Sequence, residues 1–328
     1  MTAKKRIVSG MRPTGALHLG NYHGALKNWI SMQETYDCFF FIADWHALTS
    51  DYENPSHIRE FSRNMMIDWL GAGLSPEKST LFVQSRIPHH AELFLLLSMI
   101  TPVPWLERNP TYKEQIAELQ NRDLSTFGFL GYPILQAADI IIYKAEGVPV
   151  GMDQAPHIEI TREIARRFNH FYCDVFPEPE TILTESAKIL GTDRRKMSKS
   201  YDNAIFLSDP PDAIRRKVAT MITDPQRKRR SDPGDPDVCN VYSFHRMYSD
   251  PEETAEVNRD CRAAEIGCVE CKQKMAENLI TALAPIREAT DYYRAHPETV
   301  DEIIRYGNEK AAAEAGQTLA EVRAALKM

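Results

Sequence analysis

Long hydrophobic runs are absent: none of the 328 residues falls in a stretch of the roughly 18 consecutive apolar residues that a membrane-spanning helix needs. The opening MTAKKRIVSG also lacks the apolar core of a secretory signal. A soluble, cytoplasmic protein with no membrane partner is the expectation. Cysteine is scarce, at six residues, which is too few for a disulfide scaffold in a chain this long. Cys38, in the apolar run DCFFFIAD, and Cys173, after HFY, read as buried small hydrophobes. There is no excess of positive charge either. With 39 Lys and Arg against 46 Asp and Glu, the net charge of −7 excludes a protein that coats nucleic acid regardless of sequence, while allowing a local basic patch. Arg227, Lys228, Arg229 and Arg230, in a loop rich in Pro, Gly and Asp, are the candidate patch for a nucleic acid. No internal repeat and no low-complexity tract occurs.

What remains is the composition of an ordinary globular protein, 43% hydrophobic and 26% charged, so disorder is excluded for most of the chain. The length suits two domains. Short apolar runs at 6–10, 38–44, 80–85 and 147–151 predict buried strands. The stretches 56–74 and 91–100 repeat apolar residues at spacings of three and four and predict helices. Strands alternating with helices predict an α/β fold with a doubly wound parallel sheet. After about residue 205 the strand signals fade and four helical stretches follow, entered past Pro210 and Pro211. The expected division is therefore 1–205 for the α/β domain and 206–328 for a helical domain.

Two constellations carry phosphate chemistry. RIVSGMRPTGALHLGNYHGALKNW runs from a strand through a Gly-Pro-Gly loop into a helix that begins near His18 or Asn21. A helix start at the carboxyl end of a first strand offers free amides to phosphate. Gly20 would let a flat base approach the backbone, and His18 and Asn21 could donate to phosphate or ribose oxygens. Far along the chain, GTDRRKMSKSYDN sets Lys196 and Lys199 beside Ser198 and Ser200 in what reads as a mobile loop. Two ammonium groups brought onto a triphosphate would neutralise charge as pyrophosphate leaves.

HLGN at 18–21 together with KMSKS at 196–200 resembles the paired signatures of the class I aminoacyl-tRNA synthetases. The segments MRPTGALHLGN, ADWHALT, TYKEQ, YPILQAADIIIYKAEGVPVG and DQAPHIEITREIARRFN extend the likeness to the bacterial tryptophanyl branch over nearly the whole chain. The resemblance implies a Rossmann-like catalytic domain (1–205) and a helical anticodon-binding domain (206–328) in a homodimer. The implied activity is tryptophan activation by ATP with Mg²⁺, followed by transfer to tRNA(Trp). It also implies roles for residues. Lys199, aided by Lys196 and Ser198, would be catalytic. Arg12, Pro13, Thr14, His18, Gly20, Asn21, Gly151, Met152, Asp153, Ile189, Met197 and Ser200 would bind ATP alongside them. Asp139, in a largely apolar helix, needs a partner, and the resemblance supplies the indole N–H of tryptophan. Tyr132 and Gln154 would hold the substrate amino group, and Val8, His46 and Gln136 would line the pocket. The alternatives are a tyrosine-specific sister enzyme and a catalytically silent tRNA-binding or iron–sulfur regulatory protein.

The remaining cysteines, Cys239, Cys261, Cys268 and Cys271, form C-x21-C-x6-C-x2-C. Four thiolates suit tetrahedral zinc or a four-iron four-sulfur (4Fe-4S) cluster, and spacing does not choose between them. A subset of the tryptophanyl branch has nearly this spacing and carries an iron–sulfur cluster, which the resemblance therefore implies here.

Overall fold

The computed structural model describes residues 4–110, 112–113, 124–184 and 189–328. They fall into two compact units. One is drawn from Met1–Gly15, Lys27–Glu185 and Ala295–Met328, the other from Ala16–Leu26 and Ser186–Arg294. These units differ from a single cut after residue 205 at both ends of the chain. The HLGN segment groups with the second unit, and the C-terminal helix groups with the first.

The first unit is built on five parallel strands: β1 (Arg6–Met11), β2 (Asp37–Ile42), β3 (Ser79–Val83), β4 (Gly147–Val150) and β5 (Glu180–Leu183). Their order is β3-β2-β1-β4-β5. The first four coincide with the apolar runs, because β2 and β3 are buried almost throughout and need apolar side chains on both faces. β5 lies at a sheet edge with its residues half-buried or exposed, so no apolar run announces it. Strand order reverses between β1 and β4, and ligands bind outside the carboxyl ends of strands at such a switch point. The segments following β1 and β4 are residues 12–15 and 151–154. Helices Ile58–Ala72 and His89–Ser98 lie within two residues of their expected bounds. Among the described residues, no helix is long and apolar enough to cross a membrane.

The helix Pro297–Ala325 covers the other sheet edge. Asn308 Oδ1 accepts the Val83 backbone N–H at 3.0 Å, satisfying an edge donor of β3 that would otherwise invite pairing with another chain. Gly307, Ala311 and Ala315 are buried on its inner face, and small residues there let the helix approach closely. A Cβ at Gly307 would lie 1.8 Å from the Leu81 carbonyl oxygen. Arg6 with Glu314, Lys144 with Glu321 and Arg323 with Glu92, each at 2.7 Å, form an ionic rim. In an exposed helix, Gly→Ala gains about 1 kcal/mol, but forcing a methyl into packed backbone costs about 1–3 kcal/mol. Gly307→Ala should therefore lower the urea midpoint, whereas a midpoint unchanged or raised would contradict the close approach.

The second unit is helical, as expected, with helices Pro211–Thr220, Asn240–Tyr248, Pro251–Arg262 and Cys268–Ala295. Asp250 caps the third of these by accepting the Glu253 amide at 2.8 Å.

Candidate active site

In the first unit, Tyr132, Gln136 and Asp139 share one face of the helix Tyr132–Ile141, being four and three residues apart. Asp139 is completely buried. Its partners come from the protein itself: Gln84 Nε2 lies 2.8 Å from both carboxylate oxygens, His90 Nδ1 2.6 Å from Oδ1, and His46 Nε2 2.7 Å from Oδ2. The partner that the sequence demanded is thus already supplied, by donors from three other segments. A carboxylate offers about four acceptor directions, and these four contacts, two on each oxygen, take them up, so a further donor must displace one of them. Burial pushes the Asp139 carboxyl up, but hydrogen bonds from His46 and His90 outweigh it and hold the group below its ordinary value. His90 Nε2 in turn meets the Tyr143 hydroxyl at 2.6 Å, which fixes the imidazole between two partners.

A second network surrounds Tyr132. Gln154 Nε2 donates to Asp153 Oδ2 at 3.0 Å, leaving Gln154 Oε1 to accept His157 Nδ1–H at 3.0 Å. His157 Nε2 must then accept, and the Tyr132 hydroxyl donates to it at 2.7 Å. Burial, with a smaller push from His46, takes His157 down to about 4, so it is neutral near pH 7, as the chain of donors requires. Burial raises the Tyr132 hydroxyl, with Asn109 and Arg12 opposing, so it stays protonated while its oxygen faces both groups. Val8 is fully buried in β1 and Gln136 is half-buried. After β1, Arg12 bonds the Ser50 hydroxyl, Pro13 is buried and Thr14 is exposed. After β4, Gly151 leads into a single turn, Met152–Gln154, with Met152 and Asp153 exposed. Gln84, His90, Asn109 and His157 were not singled out from the sequence. The pair His89-His90 just beyond a strand was the available signal. Of the TYKEQ segment, Thr111, Glu114 and Gln115 lie outside the described residues.

In the second unit the two signature motifs lie together. His18 caps the turn Leu19–Asn21 reciprocally: its Nδ1 accepts the Asn21 amide at 3.3 Å, and Asn21 Oδ1 accepts the His18 amide at 3.1 Å. Leu19 N–H donates to Ile205 O at 3.0 Å and Leu207 N–H to Leu17 O at 2.9 Å, so the chain beyond KMSKS pairs with the HLGN segment. A Cβ on Gly20 would lie 2.9 Å from the His18 ring and 3.6 Å from Met197 Cβ. The glycine is thus required first by the protein's own packing, and not only by an approaching base.

The KMSKS segment is pegged at two points. Met197 is buried and its N–H donates to Ile189 O at 3.2 Å. The buried Asn203 accepts the Ser198 amide at 2.8 Å and donates to Asp193 Oδ1 at 2.7 Å and Lys196 O at 3.2 Å. Ser198 and Ser200 hydroxyls meet at 2.8 Å. Lys196 is exposed and Lys199 half-buried. Burial, and then the Lys199 ammonium, takes His18 down to about 4, so the cradle keeps its lysine charge and adds none from histidine. The expected loop is thus held at two points, and Asn203, which holds one of them, was also not singled out from the sequence.

The cysteines also gather in the second unit. Cys239 caps the helix Asn240–Tyr248, and Cys268 and Cys271 lie in the first turn of another helix. Burial, and then the nearby Cys239, Cys261 and Cys268, push the Cys271 thiol up to about 12. Among the described residues, no three His, Cys, Asp or Glu side chains converge tightly enough to cage one metal ion. Arg227 turns inward: its Nη1 points to Cys261 Sγ at 3.7 Å and its Nη2 donates to Arg230 O and Ile266 O. This removes Arg227 from the expected basic patch. Cys173 is exposed, not buried, because it lies just past the end of the helix Ala155–Phe171, whereas Cys38 is buried in β2.

Known proteins resemble this chain over nearly its full length. The family model described as tRNA synthetases class I (W and Y) matches residues 1–284. A tryptophan–tRNA ligase of Thermotoga maritima is 52% identical, covering 98% of this chain and 99% of its own length. One from Aquifex aeolicus is 46% identical over 98% of this chain and all of its own. The crystal structure of a Campylobacter jejuni tryptophanyl-tRNA synthetase complexed with ADP and tryptophan superposes with a TM-score of 0.91 at 31% identity, covering 98% of this chain and all of that one. On the strength of the motif pair, the parallel sheet and these likenesses over nearly its full length, the chain belongs to the class I tRNA synthetases of the tryptophan and tyrosine branch.

Proposed function

We propose that the chain is a tryptophan–tRNA ligase of the bacterial type, acting in the cytoplasm as a homodimer on tryptophan, ATP and tRNA(Trp). The observation that carries this reading is the nearness of HLGN to KMSKS within one unit: His18 bridges Phe206 just beyond KMSKS, a Cβ on Gly20 would lie 3.6 Å from Met197 Cβ, and Lys199 is near enough to His18 to shift it. A tryptophan carboxylate oxygen attacks the α-phosphorus of ATP, the bond to pyrophosphate breaks, and tryptophanyl-adenylate forms. A terminal hydroxyl of the tRNA then attacks the carbonyl carbon and AMP leaves. The carboxylate is already a nucleophile, so the first step needs positioning and charge neutralisation but no general base. Lys199 and Lys196 meet the charge on departing pyrophosphate, and Ser198 and Ser200 hydrogen-bond phosphate oxygens. His18, Gly20, Asn21, Ile189 and Met197 are assigned to the nucleotide in the second unit. Arg12, Pro13, Thr14, Gly151, Met152 and Asp153 keep the ATP roles that the family resemblance implies. The donors at these positions are mostly lysine, hydroxyl and amide groups, which suit phosphate, so Mg²⁺ would arrive with ATP and share in neutralising it.

Tryptophan is assigned to the Tyr132–Asp139 face. Asp139 is assigned to the indole N–H, which would take the place of His46 at Oδ2, Tyr132 and Gln154 are assigned to the amino group, and Val8, His46 and Gln136 to the wall. Asp139 favours tryptophan over the tyrosine-specific alternative, because a rigid, fully buried carboxylate discriminates by the position of the donor. Intact lysines in the cradle speak against a silent protein. The dimer reading is supported by exposed Leu95, Met99, Val103 and Phe127, an apolar set in the first unit in which the Phe94 and Phe127 rings lie 6.5 Å apart.

For the cysteines we favour a 4Fe-4S cluster over zinc. The four thiols lie near enough to influence one another, as a four-thiolate group requires, and the family resemblance names the cluster. Their surroundings suit an anionic group: Arg227 faces Cys261 while its buried Nε lacks a partner, and the amides of Tyr242 and Val241 point at the Cys239 sulfur. A Cβ on Gly234 would lie 2.6 Å from Cys261 Sγ, so the backbone is drawn tight around that thiol. Cys239, Cys261, Cys268 and Cys271 would hold the cluster, whose service would be to staple the helical domain 206–328 that we assign to the anticodon. In protein purified without oxygen, Cys268→Ser should abolish a broad visible absorption band, and an identical spectrum for parent and variant would refute the assignment. The function itself is tested by tryptophan-dependent exchange of pyrophosphate into ATP.

A further inference from the structure

The helix Asn240–Tyr248 has one more set of contacts, all within the second unit. At its start, directly after Cys239, the buried Asn240 donates from Nδ2 to Gly191 O at 2.8 Å. Its orientation is set by the Gly191 carbonyl, which can only accept, so the amide nitrogen must face it. Gly191 opens the turn that leads to Lys196: its carbonyl also accepts the Arg194 amide at 3.0 Å, its own N–H donates to Arg195 O at 2.7 Å, and Leu190 bridges Lys196. At the far end of the helix, Tyr248 places its hydroxyl 2.6 Å from His23 Nε2, two residues after Asn21 of HLGN, with the rings edge to face at 5.7 Å. Midway, the fully buried His245 faces the Cys271 carbonyl at 3.2 Å and the Cys271 sulfur at 3.4 Å. One nine-residue helix therefore touches the turn that leads into KMSKS and the segment that follows HLGN, begins directly after Cys239 and contacts Cys271.

We propose that this helix is a strut for the nucleotide cradle, in which Asn240 positions the turn before Lys196 and Tyr248 positions the segment after Asn21, so that a change at Cys239 reaches both motifs. The assignment of that cradle to ATP rests on the functional reading above. The helix axis converts a displacement of its capping residue into a shift at both contacts, because packed elements move as rigid bodies and do not deform continuously. Asn240 and Tyr248 are positioning residues here and touch no substrate.

The test uses the full chain with Asn240→Ala, Tyr248→Phe and Cys239→Ser. Loss of one buried hydrogen bond should raise KM for ATP about tenfold in the Asn240→Ala exchange assay and leave KM for tryptophan within about twofold. Amide hydrogen exchange at Met197 and Ser198 should accelerate in that variant, at Asn21 and Tyr22 in Tyr248→Phe, and at both sites in Cys239→Ser, while the strands of the first unit exchange as before. A merely structural role would speed exchange throughout the second unit or move both KM values together, and either result overturns the strut. Tyr248→Phe removes only a hydroxyl, so it decides the matter if Asn240→Ala fails to fold. A parent chain inactive with tryptophan would defeat the functional reading alone, since the amide exchange still reports whether the helix holds the two motifs.

Discussion

Lys199→Ala lowers the rate of tryptophan-dependent pyrophosphate exchange by roughly 100- to 1,000-fold, the usual loss when one preorganised charge is taken from a transition state. That is about 2.7–4 kcal/mol of barrier. The effect falls on kcat, because the ammonium is needed most when negative charge accumulates on departing pyrophosphate, while KM for tryptophan stays close to that of the parent. The chain still folds, since Lys199 is half-buried on a turn held by Met197 and Asn203. Lys196→Ala has a smaller effect from its exposed position. Steady-state exchange kinetics on both variants check this, and equal small losses would mean that the charges act as a general field and not as aimed groups.

Asp139→Ala has the second large effect, on stability and on substrate choice together. It strands the buried donors of Gln84 and His90 and one from His46. Each unmatched buried donor costs about 1–3 kcal/mol, so the sum is about 3 kcal/mol or more even after partial relaxation. Asp139→Asn keeps the shape but turns an N–H toward one of those donors, and should fold while losing tryptophan kcat/KM by orders of magnitude. The depressed carboxyl also sets a pH dependence. Because its folded value lies below the ordinary 3.8, its contribution is complete above about pH 3.8 and is lost as pH falls through the folded value. Acid denaturation of the parent should therefore begin at lower pH than that of Asp139→Asn. Unchanged discrimination between tryptophan and tyrosine in Asp139→Asn would remove this residue from the specificity argument.

The residues that were legible in the sequence are those whose burden is local. β1 to β4 announce themselves because strands buried on both faces must be apolar, whereas β5, half-exposed over Glu180–Leu183, leaves no such mark. The helix Pro297–Ala325 is obvious as a helix, but its periodicity shows an inward face without saying what it meets, and Gly307 against Leu81 with Asn308 against Val83 reveals that this is β3. At the site, Asp139 stands out because a carboxylate in an apolar helix must be answered. Its answers come from residues 46, 84 and 90, which lie at sequence separations of 93, 55 and 49 and become neighbours only in the fold. Asn203 follows KMSKS by three residues, and nothing in an Asn within a turn foretells that it will pin the Ser198 amide. Arg227 belongs to a run that reads as a basic patch, and only the fold turns it toward Cys261.

The central claim is that the paired motifs and the Asp139 pocket activate tryptophan and no other amino acid. Exchange of labelled pyrophosphate into ATP, with tryptophan and tyrosine run side by side on protein purified without oxygen, tests it most directly. The account predicts rapid exchange with tryptophan and background exchange with tyrosine; exchange with tyrosine, or with neither, would contradict it.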